Sequence, residues 1–141
     1  LGGLGSAVAV ALARMGVGRL VLVDFDVVEP SNLNRQQYFV DQLGQHKTLA
    51  LQENLKRINP YIQIDCHTDR IVPENVDSFF CDIDVLVEAF DGADQKAMLM
   101  QNVGSYPLVT ASGLAGHGSG ESIKGAFETK LWCQHGSFAT A

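Results

Sequence analysis

The sequence predicts an α/β protein, a Rossmann-like parallel sheet with flanking helices, and three observations carry that prediction. Leu20-Val21-Leu22-Val23 and Val85-Leu86-Val87 are unbroken apolar runs, as expected of strands covered on both faces. Segments with helical spacing of apolar residues alternate with such runs along the chain, the mark of a parallel sheet built from strand–helix units. Finally, the glycine-rich turn Leu1-Gly2-Gly3-Leu4-Gly5-Ser6 opens a helix, and Asp24 ends the strand that follows. That pairing is the phosphate and ribose grip of a nucleotide-binding βαβ unit. Glycine lets backbone approach a phosphate closely, and a helix start offers unpaired N–H groups backed by roughly half a positive charge.

In chain order, residues 6–15 form the first helix, with Val8, Ala11, Leu12 and Met15 on one face and Gly16 and Gly18 ending it. The strand 20–23 leads to Asp24, and residues 26–39 read as a polar loop containing Pro30, too long to be a simple connection. A second helix spans residues 47–58, with Leu51, Leu55 and Ile58 inward, Glu53 and Arg57 paired outward at i, i+4, and Pro60 as its stop. Residues 61–67 alternate Ile62 and Ile64 with polar neighbours, as an edge strand does. Pro73 opens a short helix to about Phe80. The strand 85–87 carries Glu88-Ala89-Phe90-Asp91 at its carboxyl end; a helix over 93–103 and a strand over 107–111 follow. Beyond Gly113 glycines crowd the chain, and only Lys130-Leu131-Trp132-Cys133 reads as regular structure. Gly2 and Gly5 match the last two glycines of G-x-G-x-x-G, which places the first before Leu1. The expectation is a single nucleotide-binding domain over residues 1–141, truncated at both ends and lacking its first strand and C-terminal part.

Composition narrows the partners. A formal net charge of −6 disfavours nucleic acid and anionic membranes, and no apolar run approaches the roughly 20 residues of a membrane span. Cys66, Cys81 and Cys133 are widely spaced and form no C-x-x-C pair, so they read as reduced thiols of a cytoplasmic protein.

The residues able to do chemistry follow Asp24. This carboxylate suits the ribose of either NAD or ATP, and alone it does not separate a dehydrogenase from an ATP enzyme. Ser31-Asn32-Leu33-Asn34-Arg35-Gln36 then offers hydroxyl, amide and guanidinium groups, and Lys47 begins the next helix. One planar fork and one point charge, Arg35 and Lys47, suit a triphosphate better than a dinucleotide pyrophosphate; the alternative is that both are solvated surface charges. Asp91 lies at the carboxyl end of a buried strand, where open α/β sheets bind ligands, and is placed to hold Mg²⁺ against phosphate oxygens. Its other reading is a helix N-cap, a place Asp94 would also fill. Glu88 is a second choice for the metal. His46, beside Lys47, is positioned to face the site; His67, His117 and His135 form no metal-ligand spacing.

These segments together resemble the ThiF/MoeB/HesA family, bacterial relatives of ubiquitin-activating enzymes. The resemblance rests on Gly2-Gly3-Leu4-Gly5-Ser6, Val23-Asp24-Phe25-Asp26, Ser31-Asn32-Leu33-Asn34-Arg35-Gln36, Gly44-Gln45-His46-Lys47 and Arg57-Ile58-Asn59-Pro60, and covers roughly residues 1–115 in consistent order. The runs 29–39, 87–91 and 111–116 are most similar to the short ThiF branch of thiamine biosynthesis. The resemblance implies a homodimeric adenylyltransferase that uses MgATP to activate the C-terminal glycine of a ubiquitin-like sulfur carrier such as ThiS, releasing pyrophosphate. It implies that Gly3, in the turn with Gly2 and Gly5, contacts the phosphates, that Asp24 contacts the ribose, and that Asn32, Arg35 and Lys47 contact the phosphate chain, with Ser31 counted among the nucleotide-binding residues. Asp91 would hold the Mg²⁺. Relatives usually place Asn after that Asp, where this chain has Gly92. Many bind zinc through two C-x-x-C pairs, and this chain has none, so no zinc is expected. Some relatives use a cysteine downstream of the nucleotide site to receive the carrier or its sulfur, and Cys133 is the only candidate for that role by position. A segment rich in glycine, 113–120, is either a crossover over the carrier's tail or an ordinary exposed loop. An NAD-dependent oxidoreductase and a non-catalytic scaffold are the competing readings; the first finds no Tyr-x-x-x-Lys pair, and the second is opposed by the joint presence of Asp24, Arg35, Lys47 and Asp91.

Overall fold

Strand β1 (Arg19–Val23) organises the architecture because its side chains alternate between two cores. A computed structural model describes residues 1–104, 106–110 and 137–140. Leu20 and Leu22 pack on one side with Ala9 and Ala13 of helix α1 (Gly3–Met15) and with Ala50, Leu51 and Leu55 of α2 (Lys47–Ile58). Val21 and Val23 pack on the other with Val76 and Phe80 of α3 (Val76–Phe80) and Leu99 of α4 (Ala93–Asn102). Period-two geometry and an apolar strand therefore yield three layers, helices–sheet–helices. No helix among the described residues is long and apolar enough to cross a membrane.

The sheet also contains β2 (Gln63–His67), β3 (Val85–Glu88), β4 (Leu108–Thr110) and β5 (Ser137–Thr140), all parallel, in the order β2-β1-β5-β3-β4. As expected, the alternating β2 is an edge strand. The strand β5 departs from expectation. It pairs Leu20 with Phe138 on one side and Val85 with Phe138 on the other, filling the middle of the sheet. In a doubly wound sheet that is the position from which the glycine turn ordinarily leaves. The stretches 113–120 and 130–133, and Cys133 with them, lie outside the described residues.

Four further details correct the sequence reading. Helix α1 begins at Gly3, not Ser6, so the glycine turn is itself the first helical turn. Its inward face is the small-residue stripe Gly5, Ser6, Ala9 and Ala13, whereas Met15 is exposed. Small side chains let the helix approach sheet and α2 closely, which burial of the larger set would have prevented. The Glu53–Arg57 pair is absent from the ion pairs of the described residues; Glu53 instead accepts from Gln42 Nε2 at 3.4 Å. Helix α3 starts at Val76 rather than at Pro73.

Residues 26–46 are an ordered connection rather than a plain polar loop. Single 3₁₀ turns at Pro30–Asn32 and Val40–Gln42 and a bridge between Val27 and His46 shape it. A buried amide network fastens it to α2. Asn54 Nδ2 donates to the Gln37 carbonyl at 2.9 Å and to Gln42 Oε1 at 3.0 Å, and Gln42 Nε2 donates to the Ala50 carbonyl at 3.0 Å. Buried amides with their bonding capacity met rigidify a loop as a helix would.

Candidate functional site

The carboxyl ends of β1, β2 and β3 open onto one cleft of about 830 Å³. This is where open α/β sheets place ligands. Its floor at one end is the glycine turn. Ser6 Oγ donates to the Gly2 carbonyl at 2.6 Å and accepts from the Gln37 N–H at 3.2 Å, while the Tyr38 hydroxyl donates to the Leu1 carbonyl at 2.8 Å. These bonds lock the turn to the 35–38 segment. Burial first, then the nearby Asp24 and Asp26 carboxylates, push the Tyr38 phenol well up, so it stays a donor. A side chain added at Gly3 or Gly5 would meet its neighbours at van der Waals distance. A Cβ at Gly3 would lie 3.6 Å from the Arg35 carbonyl oxygen, and one at Gly5 would lie 3.4 Å from the Ala89 Cβ. Gly2 lines the cleft; Gly3 and Gly5 support it from behind.

Asp24, Asn32, Arg35, Lys47 and Asp91 all line the same cleft, so five positions scattered over 68 residues of chain are gathered at one place. The Asp24 carboxylate accepts from the Asp26 N–H at 2.8 Å and contacts the Leu1 ammonium. Asn32 is largely structural: its Oδ1 caps the 3₁₀ turn by accepting from the Glu29 N–H at 3.0 Å. Arg35 is exposed, its Nη1 donating to the Ser31 carbonyl at 2.9 Å and to Asn34 Oδ1 at 3.1 Å. It has no carboxylate partner among the described residues, and its remaining donors are open to an anion. Lys47 differs from expectation in being buried. Its Nζ sits 2.9 Å from Asp26 Oδ2, so its charge is met before any ligand arrives. Ser31 and His46 do not line the cleft.

Asp91 is exposed at the cleft wall, and the helix cap is Gly92, not Asp91 or Asp94. This leaves the Asp91 carboxylate available. Glu88 is not: it is fully buried and ion-paired with Lys96 at 3.1 Å, which removes it as a metal ligand. Among the described residues no three His, Cys, Asp or Glu side chains are grouped to hold a metal by themselves.

Reading by motif missed the opposite wall. Phe25, half exposed, carries the Arg70 guanidinium 4.5 Å above its ring, and residues 69–73 form the adjoining side of the cleft. Asn75 staples this segment, accepting from the Val72 N–H at 2.8 Å and donating to the Arg70 carbonyl at 2.9 Å. The available signal was positional only, a segment immediately after a strand's carboxyl end. The described thiols stand apart. Burial, with Asp65 nearby, pushes the Cys66 thiol up to about 11, and Cys81 is exposed at the end of α3.

The ThiF family model matches residues 1–135. The chain is 40% identical over 101 residues to ubiquitin-like modifier-activating enzyme 5 of Dictyostelium discoideum, covering 72% of this chain and 24% of that protein. It is 35% identical over 121 residues to the adenylyltransferase and sulfurtransferase UBA4 of Candida glabrata, covering 83% of this chain and 28% of that one. The crystal structure of the Escherichia coli tRNA N6-threonylcarbamoyladenosine dehydratase TcdA in complex with ATP superposes with a TM-score of 0.72 at 35% identity, over 77% of this chain and 46% of that chain. The chain thus spans from about a quarter to just under half of these relatives. A family match across nearly its whole length, joined to the glycine turn and the gathered Asp24, Arg35, Lys47 and Asp91, places the chain in the ThiF family.

Proposed function

We propose that this chain is the nucleotide site of an ATP-dependent adenylyltransferase. It activates the C-terminal glycine of a small ubiquitin-like sulfur carrier and releases pyrophosphate. The observation that carries this reading is the delivery of Arg35 and Lys47 to one cleft together with the glycine turn, Asp24 and Asp91. Nucleophile and α-phosphate are both anionic, so the protein has little covalent chemistry to perform. Positioning and charge neutralisation supply the catalysis. Asp24 accepts from ribose hydroxyls, the N–H groups at the start of α1 face phosphate, and the Arg35 fork spans two phosphate oxygens. Lys47 exchanges Asp26 for a phosphate oxygen within the reach of one flexible side chain.

Six carboxylates and only three cationic side chains line the cleft, a poor match for bare ATP and a good one for its magnesium complex. Asp91 would hold the ion alongside phosphate oxygens, the usual pattern of one or two carboxylates plus substrate oxygens. Bound there, Mg²⁺ would neutralise charge on the leaving pyrophosphate. A ThiS-like carrier of thiamine biosynthesis and a homodimeric assembly complete the proposal, supported by the likeness of residues 29–39 and 87–91 to the short ThiF branch.

Carrier-dependent ATP–pyrophosphate exchange tests it. Exchange should require both Mg²⁺ and a carrier ending in Gly-Gly, and Arg35→Ala should slow it about 10²–10³-fold, the cost of one preorganised electrostatic donor. Exchange with another carrier but not a ThiS-like one would move the pathway. ATP binding without exchange across carriers would leave a scaffold, and binding of NAD in place of ATP would overturn the assignment.

A further inference from the structure

Glu88 is the one fully buried carboxylate among the described residues, at the end of a strand otherwise made of Val85, Leu86 and Val87. Taking a carboxylate out of water is costly, and a buried ion pair commonly stabilises no better than apolar residues of similar volume. Core packing alone does not account for a charge here. Its bonds point to another role. Glu88 Oε1 accepts from the Phe90 N–H at 2.6 Å, and both oxygens face Lys96 Nζ, at 3.1 and 3.2 Å. Phe90 immediately precedes Asp91, and Lys96 lies in the first turns of α4, just beyond it.

The single carboxylate therefore grips the turn 89–92 from both sides, by its backbone before Asp91 and by a helix side chain after it. Asp91 itself makes no hydrogen bond or ion pair among the described residues, and its N-cap neighbour Gly92 offers no side chain to steady it. Where the Asp91 carboxylate sits is then decided by where this turn is held. We propose that the Glu88–Lys96 pair is a positioning device that aims Asp91 at the metal–triphosphate complex while touching neither. This rests on the reading of Asp91 as the Mg²⁺ ligand. Both charges lie behind the cleft wall rather than on it.

The test separates metal-dependent from metal-independent binding. Manganese affinity of the ATP-bound protein is measured by electron paramagnetic resonance, AMP affinity is measured in EDTA, and urea unfolding reports on folding. The double variant Glu88→Gln/Lys96→Met removes both charges of this pair and keeps an acceptor for the Phe90 N–H. It should fold, bind AMP within twofold of the native protein, and lose manganese affinity about tenfold. Lys96→Arg should restore manganese affinity to within threefold. Asp91→Asn is run beside them. A double variant with native manganese affinity, while Asp91→Asn has lost it, overturns the positioning role and leaves Asp91 as ligand. Native manganese affinity in Asp91→Asn itself overturns the metal role and this inference with it. Equal losses of AMP and manganese affinity in the double variant would show a merely structural pair and also overturn the proposal.

Discussion

At the scale of single residues, Arg35 and Lys47 are in different states before a ligand binds. Arg35 reaches only carbonyl and amide oxygens, whereas Lys47 is buried against Asp26. The Asp26→Asn variant therefore leaves the buried Lys47 without its counter-charge, a destabilising change moderated by solvent at the half-exposed Asp26. A bound triphosphate supplies that counter-charge. The expected outcome is a lower unligated Tm, with a rise on adding MgATP larger than in the native protein, read by thermal shift; equal rises would mean that Lys47 does not transfer to phosphate. Residue types and spacing made both cations legible in the sequence, but not this difference, because Lys47 burial depends on how residues 26–46 fold back onto α2. Gly92 carries a similar lesson. A Cβ there would fall 1.8 Å from Gln95 Oε1, so an Asn at that position would require the Gln95 side chain to swing away.

Elements were legible where one local pattern determined them. Helix α2 runs over Lys47–Ile58 and β3 over Val85–Glu88, as the apolar spacing predicts, because each carries an uninterrupted period and a clear stop. The inward face of α1 was misread because a stripe of glycine, serine and alanine has little hydrophobic contrast, yet it buries best where two helices and a sheet meet closely. The end of α1 obeys a stricter rule. Gly16 has φ +83°, a left-handed conformation, and its N–H returns to the Ala13 carbonyl at 3.2 Å. Because a Cβ at Gly16 would meet nothing within 4 Å, Gly16→Ala isolates the backbone cost: about 1 kcal/mol of stability by urea unfolding. The ATP site should be unaffected, since Gly16 lies at the far end of α1.

For the molecule as a whole, topology was the part least visible in sequence. Parallel alternation predicted the sheet and the edge position of β2, but nothing in Ser137-Phe138-Ala139-Thr140 marks four residues that pair with both β1 and β3. Strand order is a property of long-range pairing, and a run that short has no period to read. Electrostatics at this scale carry a further expectation. With six carboxylates against three cations around the cleft, calorimetry should find MgATP bound at least tenfold more tightly than ATP in EDTA. Added salt should strengthen the EDTA complex by screening repulsion, the reverse of its usual effect on anion binding. Equal affinities would show that the acidic lining is not felt by the nucleotide.

The same excess of carboxylates bears on departure as well as entry. An acyl adenylate keeps the charge of one phosphate group, while the pyrophosphate released with it is dense with charge. On the proposed reaction, pyrophosphate would meet a field of six carboxylates that expels it, while the singly charged mixed anhydride would be repelled far less. In an adenylyltransferase the wall that discourages a naked triphosphate from arriving would thus act as a ratchet on the product side, favouring loss of the leaving group over its recapture.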